Sequence, residues 1–173
     1  MKKISPPLLV ILTVAAFSWA GLSMSASAEE KDQAALAHAM QPAKATLEAG
    51  LKASEREGKP ISAKFEIEDG KLQLSVYTAK GDAFTEAVLD PASGAIVKAE
   101  KITEADDLKE AQAQSAAMTK AKQSLLAATE AAVKANSGFR AVSIEPELKD
   151  GHPVAEVTLL QGSTFKKVSS KLD

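Results

Sequence analysis

Few side chains in this chain are of a type and spacing that could do chemistry. His152 lies two positions after Asp150, a pair that could ligate a metal or pass a proton. A metal site needs three or four converging ligands, and the other histidine, His38, is more than a hundred positions away. His152 is therefore read as a turn residue. Asp69, Asp90 and Asp150 could serve as acid/base partners, but they stand in Asp-Gly and Asp-Pro pairs, where a side chain that bonds its own backbone explains them. Glu104, Asp106 and Asp107 could attract a cation, yet they open a helical stretch, where the helix dipole favours negative charge. Lys166, Lys167 and Lys171 make the end of the chain locally basic, either as a solvated strand or as a contact for an acidic partner or membrane surface. There is no nucleophile-base spacing, no phosphate-binding glycine loop and no helical histidine pair. The expected sets of catalytic, cofactor-binding and metal-binding residues are all empty.

The elements that carry these residues occur twice. From Ser62 and Ser143 the chain keeps a common register at an offset of 81, through Glu66/Glu147, Gly81/Gly162 and Phe84/Phe165. Self-similarity of this kind sets the architecture before any local reading does. In the first copy Leu36, Met40, Ala43, Leu47 and Leu51 follow a helical spacing broken at Pro42, with Gly58 expected as a left-handed cap and Pro60 as a stop. Alternation then begins. A two-residue Asp69-Gly70 loop sets Glu68 opposite Lys71, and so Ile67 beside Leu72, Phe65 beside Leu74 and Ala63 beside Val76, which makes one hairpin face apolar and the other polar. A third strand over 83–89, a turn at Asp90-Pro91-Ala92-Ser93-Gly94 and a fourth strand over 95–102 complete the unit.

Thr103 with Asp106 predicts the start of a long helix whose stripe runs Leu108, Ala111, Ser115, Met118, Ala121, Leu125, Ala128 and Ala132. Its alanine-rich early part reads as a connector that buries little. Asn136 and Gly138 end it. In the second hairpin Val142, Ile144, Pro146 and Leu148 are expected to face Leu159, Val157, Ala155 and Pro153, with Pro146 and Pro153 favouring an edge position. The sequence predicts no counterpart to the fourth strand there.

The 173 residues begin with Lys2 and Lys3, an apolar run over 8–22 and Ala26-Ser27-Ala28, the pattern of a cleaved export signal over 1–28. After cleavage about 145 residues with a net charge near −4 remain, without stable membrane insertion. An acidic, mixed surface gives nucleic acid no basic face. Zero cysteines exclude disulfides and thiolate metal sites.

A helix, an Asp-Gly hairpin, a third strand closing on Leu89-Asp90, then Ser93-Gly94 and a further strand resemble the PepSY domain, found in propeptides of secreted metallopeptidases and in small exported bacterial proteins. The expected fold is α+β, in two tandem helix-plus-antiparallel-sheet modules. The divisions are an N-terminal helical extension over 29–42, module 1 over 43–102, a connecting helix over 103–119 and a truncated module 2 over 120–173. The resemblance implies a non-enzymatic periplasmic or secreted protein that binds another exported protein, a peptidase among the options, through restraint, inhibition or escort. The candidate partner-binding edge is Phe165, Lys166, Lys167 and Val168, which could also serve self-association. The alternative is a periplasmic sensor or a small-ligand or metal-binding accessory protein.

Overall fold

In the computed structural model the structure describes residues 23–173, with side chains from residue 30 onward. The basic start and apolar run of the expected export signal lie outside the described residues. Helix α1 (Ser23–Ala39) runs through Ala26-Ser27-Ala28. Pro42 separates it from the short helix α2 (Leu47–Ser54), whose Thr46 side chain accepts the Ala49 N–H and so satisfies a free helix-end donor. Strands β1 (Lys59–Glu68), β2 (Lys71–Lys80), β3 (Ala83–Leu89) and β4 (Ile96–Lys101) follow. Then come α3 (Ala105–Lys120), α4 (Leu125–Ala135), β5 (Arg140–Lys149), β6 (His152–Gln161) and β7 (Thr164–Lys171). The fold is α+β, and the described residues form four helices and one antiparallel sheet of seven strands in the order β4-β3-β2-β1-β5-β6-β7.

Both hairpin turns take the geometry their residues favour. Asp69 and Asp150 have φ of 49° and 51°, and Gly70 and Gly151 have φ of 74° and 81°. Two consecutive positive φ values match the right-handed strand twist, which is why Asp-Gly closes such hairpins. The first hairpin pairs Glu68 with Lys71, Ile67 with Leu72, Phe65 with Leu74 and Ala63 with Val76, as its turn dictates. The second pairs Ile144 with Val157, Pro146 with Ala155 and Leu148 with Pro153. Leu159 lies opposite Ala141 and not the expected Val142, because the register shifts between Ala141 and Ser143. A matching shift lies between Pro60 and Ser62 in β1. The two irregularities sit at the same place in the 81-residue register and bound a short β1–β5 ladder, Ala63 opposite Ile144 and Lys64 opposite Ser143. Pro146 therefore lies in an interior strand and not at the expected edge, opposite Ala155 of β6 and outside the short β1–β5 ladder.

Other contacts recur at nearly the same spacing. Ser124 caps α4 through Ala127 as Thr46 caps α2 through Ala49. The N–H groups of Lys44 and Ala45 donate to the Pro91 carbonyl, and those of Lys122 and Gln123 to the Leu172 carbonyl. Lys59 Nζ donates to the Met118 carbonyl at 2.9 Å, and Arg140 reaches the carbonyls of Met40, Ala43 and Ala45 at 3.4, 3.0 and 2.6 Å. Arg140 also stands 5.7 Å from the Phe65 ring centre, so one guanidinium collects the carbonyls exposed where Pro42 stops the helix.

α2 and α4 pack on each other over the apolar face of the sheet. Leu47, Leu51, Ala63, Phe65, Leu74, Val76, Leu125, Ala128, Ile144, Val157 and Leu159 form the common core there. Gly50 brings α2 against Leu74 and Val76.

Four local expectations are corrected. Gly58 does not cap the helix with positive φ; α2 ends at Ser54 with Glu55 as its C-cap, and Gly58 lies so close to the Ala79 carbonyl that a Cβ would stand 2.8 Å from its oxygen. Thr103 is not the N-cap of α3. Glu104 occupies that place and makes no side-chain capping bond. The long helix is broken over 121–124, where Ala121 turns extended, the Leu172 carbonyl takes two N–H groups and Ser124 starts a new helix. Finally, α3 is no idle connector. It covers the middle of the polar sheet face, with Gln114 bonded to Ser62 of β1.

Candidate functional site

Strand β7 ends the sheet, and among the described residues β6 is its one strand neighbour. Phe165, Lys166, Lys167 and Val168 all lie on it, opposite Leu160, Leu159, Thr158 and Val157. Phe165 and Val168 are half-buried and pack on the core, while Lys166 and Lys167 are exposed. Lys166 Nζ donates to Asn136 Oδ1 at 2.7 Å, and Lys167 Nζ pairs with Glu156 Oε1 at 2.8 Å. In the 81-residue register β7 matches β3, which is covered on its outer side by β4. A second edge, β4 itself, was not singled out in the sequence. Its residues are mostly exposed, Val97 at 66%. Both edges carry lysines, a common guard against indiscriminate strand pairing.

The acidic residues read as turn formers do that work. Asp90 Oδ1 accepts from the N–H of Ala92 and Ser93 and from the Ser93 hydroxyl, which holds its carboxyl below the usual range, the Ser93 bonds first. His152 Nδ1 lies 2.8 Å from Asp173 Oδ2, which lowers the Asp173 carboxyl. His38 is remote on α1, and among the described residues no three His, Cys, Asp or Glu side chains converge on a metal position. Asp106 and Asp107 lie in the first turn of α3.

Sequence reasoning missed a cleft under α3. A cavity of about 120 Å³ lies between α3 and the β2-β1-β5 part of the polar face, lined by Ser62, Lys64, Tyr77, Glu110, Gln114 and Glu145 among others. Its floor is the β1–β5 junction. Gln114 is 7% exposed and is satisfied on both sides, accepting from the Ser62 hydroxyl at 2.7 Å and donating to Glu110 at 2.9 Å. Lys64 pairs with Glu66 at 2.8 Å and stands 5.6 Å from the Tyr77 ring centre. Burial works against charge on both partners, but their mutual contact prevails, so Lys64 is raised and Glu66 lowered. Tyr77 is pushed up, by burial first and by Glu66 and Glu86 next. Glu145 is also raised, by partial desolvation and then by Glu110 across the cleft. The signal in sequence was slight: a polar strand face broken by Ser62, Ser75 and Tyr77, and a helix whose most buried polar residue is a glutamine.

No family model and no curated protein matches this chain. A solved structure from Clostridium difficile 630, titled a "putative lipoprotein", is similar over 70% of this chain and 80% of its own at 13% identity, with a TM-score of 0.38. Among the described residues no helix is long and apolar enough to cross a membrane.

Proposed function

We propose that this chain is an exported, non-enzymatic protein-binding protein built from two tandem PepSY-like modules, in which β7 serves as the docking edge for another exported protein. Restraint of a peptidase or escort of an envelope protein are the roles such an edge would serve. The Lys2-Lys3 start, the apolar 8–22 run and Ala26-Ser27-Ala28 support export to the periplasm or beyond. The recurrence of caps, carbonyl contacts and strand irregularities supports the tandem reading.

One observation carries the binding role: β7 stands at the place of β3 in the register, but the outer neighbour that β3 has in β4 is missing beside β7 among the described residues. An edge strand offers main-chain N–H and C=O groups to an incoming strand, and addition of a strand is a recurrent mode of protein recognition. Tagged protein recovered from envelope extract is expected to bring a partner, and Lys167→Pro, which removes one edge donor or distorts the strand, is expected to release it. A folded Lys167→Pro protein that retains the same partner would overturn the reading.

A second reading rests on the cleft at the β1–β5 junction, which suits a small polar ligand and a sensor or carrier role. Thermal-shift screening of polar metabolite classes, repeated on Gln114→Leu, tests it. A ligand that stabilises the protein and ignores the Gln114 change would not be bound in the cleft.

A further inference from the structure

The first half of the chain contains a template for whatever covers β7. β4 runs antiparallel to β3 with Thr85 opposite Lys101, Glu86 opposite Glu100, Ala87 opposite Ala99 and Val88 opposite Lys98. In the common register Thr85, Glu86 and Ala87 correspond to Lys166, Lys167 and Val168. In that template Glu86 stands directly opposite Glu100, which Lys98 neutralises at 2.8 Å, so the two strands match in net charge and not residue by residue, and β7 reverses the sign. β3 carries Glu86 as its one charged residue, and the strand laid upon it carries Lys98 and Lys101 against a single acid, Glu100. β7 carries Lys166, Lys167 and Lys171 and no acid. Opposite charges on neighbouring strands stabilise pairing, and like charges oppose it.

We infer that the occupant of the β7 edge is an extended, acidic segment of another protein, antiparallel to β7 in the register that β4 takes on β3. The inference rests on the docking role proposed for this edge and adds the partner's chemistry and direction. A small or apolar residue stands opposite Val168, as Ala99 stands opposite Ala87, and carboxylates lie beside Lys166 and Lys167. Lys166 is held by the neutral amide of Asn136 at the end of α4, so its charge is available to an incoming carboxylate. Lys167 shares its charge with Glu156 and can accept a second acid beside it. A second copy of this chain is a poor occupant. An isologous β7 pair sets lysines against lysines, and β4 of another copy brings Lys98 and Lys101 to the same place.

The test uses blocked synthetic peptides as long as the eight residues of β7. One alternates Glu with Val and Thr, one has Lys for every Glu, and one is the acidic peptide with a central Pro. Binding to the full chain is followed by fluorescence anisotropy at low and high salt. The acidic peptide is expected to bind at least about tenfold more tightly than the basic one, to weaken with salt, and to lose binding with the Pro. The double variant Lys166→Glu/Lys167→Glu is expected to reverse the preference. Equal binding of acidic and basic peptides, abolished by Lys167→Pro, would overturn the charge inference and leave the edge standing. Acidic binding that survives both the central Pro and Lys167→Pro would be surface adsorption and would overturn both. A concentration-dependent dimer dissolved by Lys167→Pro would make a second copy the occupant and overturn the inference.

Discussion

Ala63 lies directly opposite Ile144 in the β1–β5 ladder, and the two residues hold the same position in the 81-residue register. A strand that pairs with its own counterpart at one position is the arrangement of a local twofold axis. The contacts around it are reciprocal: Lys59 reaches the end of α3 while Arg140, its counterpart, reaches past the end of α1. Interfaces of this kind are isologous, as between two copies of one subunit. Here covalent linkage supplies both sides, and the edges left over are β4 and β7.

Arg140 should behave as a structural pin. It donates to the carbonyls of Met40, Ala43 and Ala45 around the Pro42 break, and hydrogen bonds from charged donors contribute on the order of 1.5–3 kcal/mol. Arg140→Ala is expected to cost about 2–3 kcal/mol in denaturant unfolding, with Arg140→Lys recovering only part because a single ammonium cannot span all three.

Phe65 is 3% exposed, whereas Ile67, two positions along the same strand face, is 41% exposed. Phe65→Ala is expected to cost roughly 3–5 kcal/mol, and Ile67→Ala about 1 kcal/mol. Similar denaturation midpoints for the two variants would mean that the apolar face is assigned wrongly.

Gly58 is required for space and not for a positive φ. The obstacle to a Cβ is the Ala79 carbonyl, a backbone group that cannot swing aside. Gly58→Ala is expected to destabilise by about 1–3 kcal/mol, in the range of overpacking. Equal or higher stability of the alanine variant, measured by thermal unfolding, would contradict this close approach.

Glu145 gives a pH dependence with a definite sign. Its folded-state carboxyl is raised, so the folded protein binds more protons there than the unfolded chain. The contribution is most favourable below the ordinary glutamate range and is lost as pH rises through the raised value. Glu145→Gln is therefore expected to raise the melting temperature near neutrality and to make little difference at acid pH. An advantage that grows on acidification would contradict the partial desolvation and the Glu110 charge invoked for it.

What was legible in the sequence is what is decided locally. The Asp-Gly turns, the alternation around Phe65 and Leu74 and the Asp90 turn each act within a few residues, and they fix the hairpin registers without help from the rest of the chain. The register shifts at Pro60 and Ala141 left less trace, so Val142 was misplaced by one position. The pairing of Ala63 with Ile144 joins strands far apart in sequence, and nothing in either strand marks it as the one to meet its counterpart. The seat of α3 was hidden for another reason. Its contacts with the sheet include Gln114 to Ser62 and the Met118 carbonyl to Lys59, polar groups that read as solvated until both partners are seen. The cleft and the raised Glu145 followed from that placement and were equally hidden.

The central claim is that a partner strand is captured at β7, and amide hydrogen exchange on the full chain with its captured partner tests it most directly. The account predicts slowed exchange confined to residues 164–171, with the β4 edge and α3 unchanged. Unaltered exchange in β7, with new protection in α3 or around Ser62, Lys64 and Glu145, would contradict it and place the binding site at the cleft.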